Sequence, residues 1–213
     1  MTRHSGPVLG LAFSSDHSYL ASCSVFGVLN IWNPSTNWSI LNNFKNGGVC
    51  FALIQLPNAR LAFGSGKNIN IWSPLTKEDG PIRTLTGHSN YVKSLALSPD
   101  KTILASGSFD HKIMLWNYKN ESTAFKTLTG HQDWVTSVCF VSNQILASGS
   151  LDNTIKIWNI KSGIQNSSSI PFRLLKLKLN FGIDHLKTNR IPNNSVAVFK
   201  KIRYCSFMSG HFF

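Results

Sequence analysis

Between residues 91 and 129, apolar and polar positions fall into four short runs separated by turn-forming residues. Residues 91–97 predict a strand with Val92, Leu95 and Leu97 turned inward. Ser98, Pro99, Asp100 and Lys101 supply a turn, proline fixing φ and aspartate bonding its own backbone. Residues 102–106 are apolar enough for a strand buried on both faces, Gly107 to His111 turn the chain again, and 112–116 alternate as a third strand. After a polar loop, 124–129 read as a fourth. Four short antiparallel strands make one blade of a β-propeller, so the predicted class is all-β.

The pattern recurs along the chain. Third strands end in a hydrophobic residue, tryptophan and a small polar residue: Ile31-Trp32-Asn33, Ile71-Trp72-Ser73, Leu115-Trp116-Asn117 and Ile157-Trp158-Asn159. These tryptophans are 40, 44 and 42 residues apart. A period of that length marks an array of one supersecondary unit. The units are read as 4–43, 44–86, 87–129 and 130–160 within a repeat region 1–160. Residues 161–170 are polar and Ser-rich and read as a linker, with 172–179 as the outer strand of the fourth unit. The remainder of 161–213 reads as an irregular basic tail or decayed repeat.

A histidine precedes three of the tryptophans at nearly constant distance: His4, His88 and His131, the last two in Gly87-His88 and Gly130-His131. With Leu104-Ala105-Ser106-Gly107-Ser108-Phe109-Asp110 and Leu146-Ala147-Ser148-Gly149-Ser150-Leu151-Asp152, these residues resemble the WD40-repeat family over roughly 4–160. The resemblance implies a buried hydrogen-bond network in each blade. In unit three it would join His88, Asp110, Trp116 and either Ser106 or Ser108. In unit four it would join His131, Asp152, Trp158 and either Ser148 or Ser150. Because the His-Asp-Ser set repeats per blade beside tryptophan, it reads as structural rather than as a catalytic triad, and no enzyme activity is expected. Unit one has Phe26 in place of the aspartate. Unit two has Lys45 at the histidine position, Gly66 nearest the aspartate, and a turn one residue shorter. Both are expected to be softer.

Charge changes the picture only at one end. The net charge of +12 looks like a nucleic-acid signal, yet residues 1–160 hold 12 Lys and Arg against 8 Asp and Glu, while 161–213 hold 9 against 1. Nucleic acid is therefore a candidate partner through the tail alone. Cys23, Cys50, Cys139 and Cys205 have no paired spacing and read as reduced thiols, with no metal or cofactor expected. No apolar run is long enough to span a membrane and the start lacks a secretory h-region, so an intracellular protein, cytoplasmic or nuclear, is expected.

By the same resemblance, contacts are made by residues just before and inside each first strand and by the one preceding the turn aspartate. These are Asn90, Tyr91, Lys93 and Phe109 in unit three, and Asp133, Trp134, Thr136 and Leu151 in unit four. Unit one offers Pro7 and unit two Gly48; Trp38 is assigned to an outer strand. The expected function is a non-catalytic scaffold or adaptor binding proteins or peptides through the rim. Its alternatives are the repeat portion of a ubiquitin-ligase receptor or repeat-bearing ATPase, or a nucleic-acid factor. Four or five blades are fewer than the family's usual ring, so completion by another chain or self-association is also expected.

Overall fold

A strand buried on both faces needs a layer on each side, and the strand Leu104–Ser108 is buried at every residue. In the computed structural model, which describes residues 4–45, 47–76 and 80–162 with the backbone of 165–171, those layers are neighbouring blades. Each blade is a four-stranded antiparallel sheet in sequential order. The first contains β1 (Val8–Phe13), β2 (Leu20–Ser24), β3 (Val28–Asn33) and β4 (Ser39–Lys45). The second contains β5 (Leu53–Gln55), β6 (Leu61–Ser65), β7 (Asn68–Trp72) and β8 (Arg83–Leu85). The third holds β9 (Val92–Leu97), β10 (Leu104–Ser108), β11 (Ile113–Trp116) and β12 (Ala124–Leu128). The fourth holds β13 (Val135–Phe140), β14 (Ile145–Ser150), β15 (Thr154–Asn159) and β16 (Gln165–Pro171).

The apolar core divides into three clusters, each lying between two blades. Ala21, Cys23 and Ile31 of the first blade meet Leu53, Phe63 and Trp72 of the second. Ala62, Ile69 and Ile71 of the second meet Leu95, Leu104 and Trp116 of the third. Ala105, Ile113 and Leu115 of the third meet Val138, Leu146 and Trp158 of the fourth. Each of these tryptophans is turned toward the preceding blade and is almost fully buried. Close approach depends on small residues in the second strands. A Cβ on Gly107 would stand 2.7 Å from Val135 Cγ1 and 3.0 Å from Val138 Cγ1.

Two expected elements are placed differently. The second strand of unit three begins at Leu104 rather than 102. The Ser98 hydroxyl and Asp100 carboxylate accept the backbone N–H of Thr102, and Ser98 also accepts that of Ile103, which keeps both residues in the turn. The fourth strand of the last blade is β16, inside the Ser-rich stretch expected as a linker. A short hairpin returns the chain so that Gln165 pairs with Trp158 and Pro171 with Thr154. Polar residues are suited to an outermost strand with one free edge. Residues 172–179, expected as that strand, and 172–213 generally, lie outside the described residues. Trp38 sits ahead of β4 rather than within it, in left-handed backbone at φ 59.

The first blade has no described blade before it, and its leading face shows the consequence. Leu11 is 64 %, Phe13 52 % and Val8 47 % exposed. Their counterparts in the fourth blade, Val138, Phe140 and Val135, are buried. The interblade contact can be tested at its tightest point. Gly107→Ala should lower unfolding stability by about 1–3 kcal/mol through overpacking against Val135 and Val138. Urea denaturation would measure it, and an unchanged midpoint would mean the blades are not held that closely.

Candidate functional site

The tryptophan that closes each third strand brings an indole N–H into an apolar interblade space, and that donor needs an acceptor. The ladder supplies one two residues along the paired strand. Leu104 pairs with Trp116 and Leu146 with Trp158, which places Ser106 and Ser148 under the indoles. Trp116 Nε1 donates to Ser106 Oγ at 2.8 Å, and Trp158 Nε1 donates to Ser148 Oγ at 2.8 Å. Each serine is 2.7 Å from a histidine Nε2, His88 or His131. The Nδ1 atoms of those rings lie 2.7 Å from Asp110 and Asp152. Donor and acceptor capacities fix the direction. Indole N–H and carboxylate leave only one neutral arrangement: Trp to Ser, Ser to His Nε2, His Nδ1–H to Asp.

Electrostatics agree with that direction. Burial lowers the His131 pKa from the ordinary value of 6.5 and outweighs the upward pull of Asp152. Burial acts to raise Asp152, but hydrogen bonds from Thr154, the Gln132 N–H and His131 hold it well below the carboxylate range. Asp110 is likewise lowered, its burial offset by His88 and by the N–H groups of Ser89 and Lys112. Ser106 and Ser148 are buried with their hydroxyls engaged, so neither presents a nucleophile to a substrate. Ser108 and Ser150 do something else. Their hydroxyls donate to the carbonyls of Asn90 and Asp133 and accept the N–H of Asp110 and Asp152, joining turn to rim.

The first two blades depart from this arrangement. His4 Nε2 is 2.6 Å from Ser22 Oγ, which also accepts the Trp32 indole N–H at 2.8 Å. With Phe26 at the aspartate position, the buried His4 Nδ1 has no partner among the described residues. In the second blade Leu61 pairs with Trp72, so the serine position holds Phe63. Phe44 lies 6.1 Å from the Phe63 ring and 5.5 Å from Trp72. An aromatic cluster stands where the other blades hold a polar chain.

The rim is organised by one bond repeated in every blade. Phe109 N–H donates to Tyr91 O, Leu151 to Trp134 O, Gly66 to Val49 O and Val25 to Pro7 O. It lays each turn beside the entry to the first strand. Phe109 and Trp134 stack, with centroids 4.1 Å apart and planes at 14°. Tyr91 meets Phe109 edge-on at 6.2 Å. Phe51 completes the patch at 6.0 Å from Tyr91 and 5.6 Å from Phe109, beneath Lys93 Nζ at 4.6 Å. Tyr91 and Trp134 remain 43 % and 41 % exposed, and Leu151, whose N–H bonds Trp134 O, is exposed as well. Asn90 and Asp133 turn their side chains back to the N–H groups of Tyr91 and Trp134, while Thr136 bonds Gly149 O. Phe51 was not among the expected contact residues. Counting unit two from Lys45 pointed to Gly48, whereas pairing of Leu53 with Phe63 makes Phe51 the counterpart of Lys93.

The family described as WD domain, G-beta repeat matches residues 1–33, 79–117 and 122–159, just over half of the sequence. The chain belongs to the WD40 repeat family. The matched segments omit most of the second blade, the one whose polar chain is replaced by Phe44 and Phe63. WD40 relatives include the WD repeat and FYVE domain-containing protein 2 of Caenorhabditis briggsae, 28% identical over 139 residues, covering 65% of this chain and 33% of the relative. The ribosome biogenesis protein WDR12 homolog of Nematostella vectensis is 36% identical over 132 residues, covering 61% and 32%. The Denticleless protein homolog of Danio rerio is 28% identical over 146 residues, covering 60% and 22%. The chain thus spans about a third or less of these curated relatives.

Two outcomes follow from the WD40 networks. Phe26→Asp gives His4 Nδ1–H an acceptor and should raise stability by about 1 kcal/mol; a lower urea midpoint would contradict that. Acid should act in two stages. His4 and His131 have folded pKa values below 6.5, so the unfolded chain binds protons first and stability falls as pH drops below that value. Asp110 and Asp152, depressed from 3.8, add a second loss below that pH. Thermal midpoints across the acid range would reveal both, and no decline between about pH 7 and 5 would contradict the first.

Proposed function

We propose that this chain is a non-catalytic WD40 interaction module that binds another protein or peptide through the rim of its second, third and fourth blades. The observation that carries this reading is the continuous aromatic surface of Phe51, Tyr91, Phe109 and Trp134. Rings already fixed against one another present large contact area and lose little rotamer freedom on binding. Tyr91, Lys93, Phe109, Trp134 and Leu151 make the contact; Asn90, Asp133 and Thr136 hold the backbone beneath it. The networks of His88, Ser106, Asp110 and Trp116, and of His131, Ser148, Asp152 and Trp158, keep the turns in place. One relative's name joins WD repeats to a FYVE domain and another's names ribosome biogenesis, which favours a shared platform rather than a shared chemistry. Buried free thiols at Cys23 and Cys50 support a reducing, intracellular setting.

The exposed leading face of the first blade favours a second contact. Val8, Leu11, Phe13 and the half-buried Trp32 correspond to residues that neighbouring blades cover elsewhere. A blade from another chain, presenting small and aliphatic residues like Ala62, Ile69 and Ile71, would complete the same core.

Affinity capture with Trp134→Ala should lose the partners retained by the native chain, a binding loss of about 2 kcal/mol or more. Trp38→Ala, outside the rim, should retain them. An unchanged partner set with Trp134→Ala would remove the rim reading. Leu11→Glu should abolish association through the first blade, seen by light scattering as a smaller particle; an unchanged mass would remove that second contact.

A further inference from the structure

Lys93 gives the aromatic rim a charge that the aromatic rings alone do not explain. Its stem is half-buried and its ammonium lies over the Phe51 ring. Among the described residues no carboxylate pairs with it. Burial alone acts on it, lowering its pKa. The acidic groups of this edge are engaged elsewhere: Asp110 with His88 and Asp152 with His131, while Asp133 accepts the Trp134 N–H. Lys67 and Lys112 add exposed positive charge on the turns of the second and third blades, on the same edge.

Any partner that covers the aromatic surface also removes water from the Lys93 ammonium. A neutral or basic segment would leave that charge buried and unpaired, which is strongly unfavourable. A carboxylate would meet it with a charge-assisted hydrogen bond in a site of reduced dielectric. We propose that the rim selects acidic peptides in which a carboxylate lies beside a bulky apolar or aromatic side chain. The carboxylate meets Lys93 and the apolar group lies on Tyr91, Phe109 and Trp134. This selectivity rests on the interaction-module reading and adds the chemistry of its partner.

Short random peptides displayed on phage, selected on the whole chain, test the proposal. Peptides retained through Trp134 should be enriched in Asp or Glu next to Leu, Phe or Trp. Replacing that Asp or Glu by Asn or Gln in a synthetic copy should weaken binding roughly tenfold, the change one retained charge-assisted bond represents. Lys93→Gln should erase the acidic preference, and Lys93→Arg should keep it; the synthetic pair on the native chain gives the answer even where a Lys93 variant fails to fold. Peptides that need Trp134 but show no acidic preference would overturn this inference and leave the rim reading intact. Recovery of no peptide that depends on Trp134 would overturn both.

Discussion

The indole at the end of each third strand must satisfy two demands at once. Its ring fills the space against the preceding blade, and its N–H, buried there, must find an acceptor. Trp116 and Trp158 meet both through a serine on the adjacent strand. That serine in turn orients a histidine, and the histidine holds the aspartate of the next turn. One buried donor thereby fixes the second strand, the entry to the first strand and the turn on the rim. Because the chain passes through residues far apart in sequence, it also sets how each blade presents its edge to its neighbour.

The second blade meets the packing demand without a histidine, serine and aspartate chain. Phe63 at the serine position and Phe44 beside it leave no isolated histidine or aspartate to be desolvated. Replacing a whole polar set by apolar groups is close to neutral, whereas removing one member strands the others. The first blade illustrates the second case. With Phe26 in place of the aspartate, His4 Nδ1 is buried without a partner among the described residues, while the His4–Ser22 and Trp32–Ser22 bonds persist. The expectation that both blades are softer therefore covers two physical situations. One blade exchanges its polar chain for aromatic contact, and the other retains a damaged chain.

The tryptophan period made four-stranded blades legible in the sequence because the strand pattern and the period describe the same unit. The choice between Ser106 and Ser108 was not legible, since both are small hydroxyls in one strand. Only the pairing of Leu104 with Trp116 distinguishes them. Phe51 was hidden by loop length. Leu53 pairs with Phe63 ten residues on where Leu95 pairs with Ser106 eleven residues on, so a histidine position counted back from Trp72 falls one residue early, whereas the pairing itself is unaffected. The strand at Gln165–Pro171 was obscured by composition. An outermost strand needs little apolar character, so a polar Ser-rich stretch reads as a linker until its partner strand is known.

The network and the rim meet in a single turn. Asp110 closes the buried chain, and Phe109, one residue earlier, is held by its N–H bond to Tyr91 O and stacks on Trp134 of the next blade. Asp152 and Leu151 stand in the same relation in the fourth blade. A residue adjacent to a fixed carboxylate inherits a fixed direction, which is why these blades can hold aromatic rings in one continuous surface. Where the carboxylate is absent, the surface changes character: the first blade carries Pro7 and Val25 at the corresponding bond, and the second carries Val49 and Gly66. The aromatic face is consequently one-sided. It runs from Phe51 at the entry to the second blade to Trp134, and the two blades that supply Tyr91, Phe109 and Trp134 are those with complete buried chains.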